Sequence, residues 1–419
     1  MQVGKYVFHD IERYYDRSHF LPKRHNTCVT ILNFNNKNAV LQVAKALEDI
    51  DADVLIVDNA STDGSYDALC ERYKDRFNLI KTKENIGGAG GFALGIQWVI
   101  NRKYDYCLVS EDDALPYPGH EDIFSEMLKY KDKKRFVQAK FYELETTSFN
   151  FHYFLYPVWL LKEVGVPNKD LFFRADDQEW GMRIRNYLRK NKIAIEKKVV
   201  DRYYTHPILK RGFSITANYF GIRNALWVYM VYPQRNFIVD YALQAGKYLT
   251  FALFTLLYDK NLELLRQFVD AYMDFVLERF DNNYQRLRKY QGKTLEPKNY
   301  ILQKSSLEEF YDKFKDRKIV SAVLQTPHFP RNFSKLYKNG VIGRKFCDIA
   351  RLKALQYKDI IFVEEIDFIK NEIVYFRYTN RRYMQARIYL ALAATASLIF
   401  VMASIPIVVW KKIKVKSRG

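Results

Sequence analysis

The sequence predicts an α/β domain built on a largely parallel sheet, followed by a helical region, a small α+β unit and one long apolar helix. Three observations carry this reading. Apolar strand candidates alternate with helical periods three times between Thr27 and Asn101, the pattern of a parallel sheet covered on both faces. A fourth strand candidate, beginning near Tyr104, runs through Val109-Ser110 straight into Glu111-Asp112-Asp113, which puts three acids at a strand end, where such sheets bind ligands. Lastly, Ile388 to Trp410 is about 23 residues long, almost wholly apolar and free of charge, with Lys411-Lys412 behind it. At ~1.5 Å per residue it is long enough to span a bilayer.

The elements follow in order. Residues 1–26 mix aromatic and charged residues without a clear period and read as an arm lying on a later domain. Thr27 to Leu32 is a buried strand, and Val40, Val43, Ala44 and Leu47 then recur at helical spacing. Asp53 to Val57 is a second strand, ending in Asp58-Asn59-Ala60-Ser61-Thr62-Asp63-Gly64, rich in helix-capping residues. A helix to about Arg76, a strand at Leu79 to Thr82, a Gly-rich loop at Gly87 to Gly91 and a helix from Phe92 to Asn101 complete three βα units. Beyond Pro116 the pattern loosens: a helix over Glu121–Lys131, strands at Arg135–Phe141 and Phe154–Leu160, a loop entering a helix at Asp176, and a strand at Val199–Tyr204 leading to His206. Asn218–Tyr232 and Phe237–Tyr258 are helical by period, and the second carries only Asp240 and Lys247, which suits a membrane interface. More polar helices run to about Lys289, a linker lies around Gly292 to Pro297, and strands are expected at Ile319–Leu324, Asp359–Val363 and Glu372–Tyr378. The expected organisation is therefore an arm at 1–26, a catalytic domain at 27–218, a membrane-proximal helical region at 219–300, an α+β unit at 301–387, the apolar helix at 388–410 and a basic tail at 411–419.

A formal charge of +19 over 419 residues points to nucleic acid, anionic lipid or phosphorylated substrates. No zinc-finger or RNA-binding motif is visible, whereas a membrane-length segment is, so lipid headgroups and phosphates are preferred to nucleic acid. Cys28, Cys70, Cys107 and Cys347 lack metal spacing and read as reduced thiols. The N-terminus shows no apolar run of signal-peptide kind.

Each motif has a structural alternative. The Asp58 carboxylate could accept hydrogen bonds from a nucleobase, but Asn59, Ser61 and Asp63 beside it equally suit a helix cap. Gly88-Ala89-Gly90-Gly91-Phe92-Ala93 contains the G-x-G-x-x-A form of a dinucleotide fingerprint. The fingerprint belongs after the first strand, however, and this stretch follows the third. A backbone bared for a diphosphate and a sugar is the better reading. Glu111-Asp112-Asp113 is either a solvated turn or a site for a hard cation such as Mg²⁺ or Mn²⁺ held together with a diphosphate; Asp113 is then the direct ligand and Glu111 the ribose or water-mediated partner. In Asp176-Asp177-Gln178-Glu179-Trp180, acids in a first helical turn are stabilised by the helix dipole, and Glu179 with Arg183 makes an i, i+4 pair. One carboxylate of such a pair can also take the proton of an attacking hydroxyl. Trp180 either stacks on a sugar or belongs to the core. His206 is either packed or a third metal ligand.

As a set, Asn33-Phe34-Asn35, the Asp58 to Gly64 loop, Asn85-Ile86-Gly87-Gly88-Ala89-Gly90-Gly91-Phe92, Glu111-Asp112-Asp113 and Asp176-Asp177-x-Glu179 resemble the GT-A glycosyltransferases of sequence family two, over residues 27–225. Within that family the Gly loop, the acidic helix start and the later His look most like the galactofuranosyltransferases that use UDP-galactofuranose. Tyr219-Phe220-x-x-Arg223-Asn224 looks like a segment shared with rhamnosyl- and galactofuranosyltransferases acting on lipid-linked sugars. The resemblance implies a Rossmann-like nucleotide-sugar domain, a UDP-sugar donor and Mn²⁺ or Mg²⁺. It makes Asn33, Asp58, Asn85, Gly87, Gly88, Glu111 and Asp112 donor contacts, with Asp58 on the uracil, and Asp113, Glu111 and His206 metal ligands. Asp177 becomes the base with Asp176 beside it, and Trp180 and Glu179 fall on the acceptor side. The first acid of the DXD-type motif is Glu111 instead of Asp. The expected activity is a single-displacement, inverting transfer onto a hydroxyl of a polyprenyl-lipid-linked glycan, by a membrane-associated enzyme with a cytoplasmic catalytic domain. Its rivals are a rhamnosyltransferase, a polyprenyl-phosphate sugar synthase and a catalytically silent nucleotide-sugar-binding scaffold. Basic residues flank the apolar helix on both sides, so the positive-inside rule does not orient it.

Overall fold

The computed structural model describes residues 5–117, 119–141, 149, 151–205, 208–210, 215–260, 262–280, 303–314, 319–321, 361–367, 372–376 and 380–416. The chain divides into two units, Met1–His206 and Pro207–Gly419.

In the first unit, strands β2 (Thr27–Asn33) and β3 (Asp53–Asp58) are buried at every position, as expected of strands covered on both faces. Their two-residue period sorts the side chains into two cores. Val29, Ile31, Val54 and Ile56 join one, with Val40 and Val43 of α1 (Lys37–Ala46) and Tyr66 and Leu69 of α2 (Ser65–Tyr73). Cys28, Leu32, Leu55 and Val57 join the other, with Phe92, Ile96 and Trp98 of α3 (Gly87–Asn101). Strand β4 (Asn78–Thr82) pairs parallel to β3, and β3 to β2. On the far side of β2 lies β5 (Tyr106–Glu111), again parallel. The chain thus winds outward from β2 in one direction and then restarts on its other side. Between β2 and β5 this leaves a topological switch point, the place where open α/β sheets hold their ligands.

The expected arm is part of this unit. Tyr6, Phe8 and Ile11 are buried in its core, and β1 (Tyr15–His19) pairs antiparallel to β4 as an edge strand. Beyond β5 the sheet departs from the parallel expectation. After the two-residue β6 (Leu115–Pro116) and α4 (Ile123–Leu128) come β7 (Arg135–Phe141), β8 (Phe154–Pro157) and, later, β9 (Glu196–Thr205). Strand β8 is antiparallel to both β5 and β7, β9 is parallel to β7, and β6 closes the far edge against β9. The sheet order is β1-β4-β3-β2-β5-β8-β7-β9-β6. The strand expected over Phe154–Leu160 stops at Pro157, which precedes helix α5 (Val158–Val164); proline at that point has no N–H to lose from the helix. Cys28 and Cys107 are buried register partners on β2 and β5, and burial pushes the Cys107 thiol up to about 12, which makes it unreactive.

The second unit contains α7 (Ile215–Val231), α8 (Phe237–Asp259), α9 (Glu263–Val276) and a tail helix, Asn380–Lys416. It also has a sheet in which β10 (Ile208–Lys210) pairs with β13 (Ile361–Asp367), β13 with β14 (Glu372–Phe376) and β14 with β11 (Gln303–Ser306), while β12 (Ile319–Ser321) runs parallel to β13. The apolar stretch expected at 388–410 lies inside a longer helix. Among the described residues, the segment Tyr383–Lys414 is long and apolar enough to cross a membrane. The linker expected near Gly292–Pro297, Cys347 and His206 lie outside the described residues.

Helix α3 can lie close on the sheet because it lacks side chains where the two meet. A Cβ on Gly91 would stand 2.3 Å from Leu32 Cδ1, and one on Gly95 would stand 2.6 Å from Thr30 Cγ2. Replacing Gly95 by valine should therefore destabilise the unit by ~1–3 kcal/mol through overpacking, despite valine's better helix propensity. An unchanged denaturant midpoint in chemical unfolding would show that α3 can shift away from β2.

Candidate active site

The residues at and just beyond the carboxyl ends of β2, β3 and β4 are tied together by side-chain hydrogen bonds. Asn33 Nδ2 donates to Asp58 Oδ2 at 2.7 Å and to Ser61 Oγ at 3.2 Å, and the Ser61 N–H donates to Asp58 Oδ1 at 2.9 Å. Asn59 Nδ2 donates to Asn85 Oδ1 and to the Gly87 carbonyl, both at 3.1 Å, while Asn59 Oδ1 accepts from the Ile86 N–H at 3.0 Å. Asn33 and Asp58 are fully buried. Burial raises the Asp58 carboxyl above its ordinary value, against the bonds from Ser61 and Asn33 that lower it. The Asp58 carboxylate, expected to meet the uracil, is covered in this structure and organises the turn at Ser61. Asn33 and Asn85 likewise tie strand ends together.

The Gly-rich stretch is also a correction. It forms the first turns of α3 instead of a loop, and its glycines mostly serve packing. Gly87 has φ +77°, and a Cβ there would come within 2.1 Å of the Phe172 carbonyl oxygen, so no other residue fits. Gly88 is the half-open member. Its Cβ position lies 4.0 Å from Asp176 Oδ2 and from the Phe173 ring, which leaves the backbone bare beside the acids of α6 (Asp176–Lys190).

Those acids are delivered by a constrained lead-in. Phe172, Arg174 and Ala175 all have positive φ (63°, 69° and 61°), conformations that cost non-glycine residues free energy and concentrate at functional sites. The Ala89 N–H donates to the Phe172 carbonyl at 3.1 Å, which fastens this turn to the start of α3. Asp176 and Asp177 then stand in the first turn of α6, where the helix dipole favours negative charge. Burial, followed by the neighbouring Asp177 and Glu111, pushes the Asp176 carboxyl up to about 8. Asp177 is raised as well, chiefly by burial, with Arg174 and His152 opposing. Glu179 and Trp180 point the other way. The Glu179 carboxylate sits 2.7 Å from Arg183 Nε with both side chains buried, and Trp180, fully buried, donates from Nε1 to the Gly165 carbonyl at 2.9 Å. Both are built into the core, which corrects the acceptor role expected of them.

At the end of β5, the Asp112 N–H donates to the Leu32 carbonyl at 3.0 Å, and Asp112 Oδ2 accepts from the Phe34 N–H at 2.9 Å. Burial, with Asp113 next in effect, pushes Asp112 up to about 8. It braces the junction of β2 and β5 and leaves Glu111 and Asp113 to face outward. Opposite them stands His152, which the sequence reading missed. The antiparallel register of β5 with β8 pairs 106 with 157 and 109 with 154; continued two residues, it places 152 across from 111. His152 Nε2 is 3.0 Å from Glu111 Oε2, and one ligand atom each from Glu111, Asp113 and His152 lies within 4.8 Å of the others. Burial alone would lower the His152 pKa, but Glu111, Asp113 and Asp177 together carry it up to about 9. Two carboxylates and an imidazole make a donor set that fits Mn²⁺ or Mg²⁺, and the field that holds a proton on His152 is one that a divalent cation would neutralise. No local motif marks Phe151-His152-Tyr153. Only the pairing of β8 with β5 brings this histidine to the acids, whereas His206 lies outside the described residues.

An α/β sheet with acids and a histidine at its switch point, beside a glycine-bared helix start, is the make-up of a GT-A-type domain. Residues 28–184, within the first unit, match the family model described as glycosyl transferase family 2. No curated protein matches the chain. Among solved structures it is similar to S. aureus TarS 1-349, at 17% identity over 61% of this chain and 82% of that one, with a TM-score of 0.39. It is also similar to the mannosyltransferase PcManGT from Pyrobaculum calidifontis, in complex with GDP-Man and Mn²⁺, at 13% identity over 64% and 93%, with a TM-score of 0.41.

If Glu111, Asp113 and His152 hold the cation together, His152→Ala should weaken Mn²⁺ binding by at least the ~10–100-fold that loss of a supporting partner costs. Titration calorimetry of the full chain reads this. An affinity equal to the parent's would exclude His152 from the ligand set.

Proposed function

We propose that the protein is a metal-dependent, inverting glycosyltransferase that moves a sugar from a nucleoside diphosphate donor, best matched by UDP-galactofuranose, onto a hydroxyl of a lipid-linked glycan. The observation that carries the transferase reading is the gathering of Glu111, Asp113, His152 and the Asp176-Asp177 pair around the half-open Gly88 at the switch point. A divalent cation held by Glu111, Asp113 and His152 would supply positive charge beside a leaving diphosphate.

The chain's own residues account for the rest. Gly88, without a side chain, lets a sugar diphosphate approach the start of α3, whose N–H groups and dipole favour anions. Asp112, braced on Phe34, keeps Glu111 and Asp113 aimed outward. Asp177 accepts the proton of the acceptor hydroxyl as its oxygen bonds to the anomeric carbon. The bond from that carbon to the diphosphate oxygen breaks on the opposite side, and its electron pair leaves with the nucleoside diphosphate. The configuration at the carbon inverts. A carboxylate raised by burial and by a neighbouring acid is the better base for this. The segment Tyr383–Lys414 attaches the chain to the membrane, and the charge of +19 suits its anionic surface.

Asp177→Asn keeps the volume and removes the base. It should abolish transfer while nucleotide binding stays nearly intact, as read by turnover with a panel of UDP-sugars alongside UDP titration. Retained turnover would remove Asp177 from this role.

A further inference from the structure

Helix α9 carries apolar side chains on its outward side as well as on its covered one. Its covered side holds Leu264, Phe268 and Phe275 but also Gln267 and Asp274, and Asp274 accepts a hydrogen bond from the Tyr219 hydroxyl of α7. Its outward side carries Leu262, Val269, Met273 and Leu277, each 40% to 49% exposed. Two charges lie on that line, Arg266, which is paired with Glu263 at 3.0 Å, and the half-buried Asp270.

The tail helix is likewise apolar outward, and its covered face includes two serines. Ala393, Ser397, Val401, Ser404 and Val408 are covered. The Ser397 hydroxyl donates to the Gly246 carbonyl of α8 at 3.0 Å, and the Ser404 hydroxyl is 2.6 Å from the Tyr241 hydroxyl. Residues 241 and 246 thus meet 404 and 397, so α8 lies antiparallel along the tail helix. Outward stand Ile388, Leu392, Leu398, Ile399, Met402 and Trp410, 55% to 65% exposed. No charge interrupts them between Arg387 and Lys411, and the outward Thr395 hydroxyl is satisfied within the helix by the Ala391 carbonyl at 3.0 Å. Val239 and Leu243 of α8 extend the apolar surface. The ammonium of Lys247, also on α8, is held by Gln244 Oε1 at 3.1 Å and stacks over Tyr248.

The far end of the tail helix is fastened to this bundle. Lys411 is buried; its Nζ donates to the Val276 carbonyl at 3.3 Å and lies 3.2 Å from Glu278. Lys412 Nζ donates to the last carbonyls of α7, at Met230 and Val231. These ammonium groups satisfy helix ends that would otherwise be orphaned, so the tail helix does not hang free of α7 and α9. The apolar band from Ile388 to Trp410 is roughly 33 Å long at ~1.5 Å per residue, close to the ~30 Å of bilayer hydrocarbon. It ends in Tyr383, Arg387 and Tyr389 on one side and in Trp410 and Lys414 on the other, the aromatic and basic belts of a lipid interface.

We propose that α8, α9 and the tail helix enter the hydrocarbon of a lipid bilayer together, as one bundle whose polar side chains point inward, and that the tail helix is not a solitary anchor. The inference rests on the membrane attachment proposed above. The test is spin-label accessibility in the full chain, reconstituted into phosphatidylcholine vesicles containing phosphatidylglycerol, with Cys70 and Cys347 replaced by serine. Single cysteines are placed at exposed positions 269, 273, 399 and 402, and at 49 as a water-facing control, since the Asp49 side chain is 100% exposed. Collision with oxygen should exceed collision with a nickel chelate several-fold at the first four positions and not at 49. Lipid exposure at 399 and 402 with water exposure at 269 and 273 would overturn the embedded bundle and leave the attachment standing. Water exposure at all four would overturn both. Labels on α9 shielded from both reagents and broadened by mutual coupling would put a second copy of the chain on this face, and the lipid proposal would fail.

Discussion

The burial of several carboxylates side by side is the constraint around which the site is arranged. Glu111, Asp112, Asp113, Asp176 and Asp177 converge from β5 and α6, and burial raises Asp112, Asp176 and Asp177 alike. Each acid needs something local to hold it. Asp112 has the Phe34 N–H, Asp176 and Asp177 have the start of α6, and Glu111 has His152. None of these supports comes from the same element as the acid it serves, apart from the helix start. The sheet order that sets β5 between β2 and β8 is therefore what permits the cluster to exist.

Beside the cluster lie two hydrogen-bonded groups, Asn33 with Asp58 and Ser61, and Asn59 with Asn85 and Gly87. Their buried members fix where three loops leave the sheet, and of their side-chain atoms Asn33 Oδ1 remains an unused acceptor. A buried polar network of this kind is costly to leave half-satisfied, so the loops share one arrangement. In the proposed transfer reaction this rigidity holds the diphosphate side and the proton-accepting side in register, which is where positioning contributes most to rate.

Much of the first half of the fold was legible in the sequence. Continuous apolar runs at Thr27–Leu32 and Asp53–Val57 mark strands covered on both faces, and the structure pairs them in parallel. The second half was less so, because antiparallel partnership is non-local: nothing near Phe154 says that it pairs with Val109, and without that pairing His152 has no reason to stand out. The glycines stand out in the sequence for a reason other than the one they serve. Five glycines or alanines in a row look bare from the sequence, but only contacts with Leu32, Thr30 and Phe172 reveal that most of the bareness is filled by protein. Asp58 and Trp180 illustrate the same limit, since residue type shows what a side chain can do and burial decides whether it has access to do it. In the tail helix the apolar run was plain, while the serines that turn one face of it toward α8 carried no signal of their own.

The contact between Gly87 and the Phe172 carbonyl links two places 85 positions apart in the sequence. On one side lies the start of α3; on the other lies a left-handed turn that aims the acids of α6. Neither can change alone. A side chain at 87 would push the turn, and a turn that relaxed its positive φ values would withdraw the carbonyl that Ala89 holds. Gly87, Phe172 and Ala175 thus behave as a single mechanical unit, so that a substitution at any one of them moves both halves of the site.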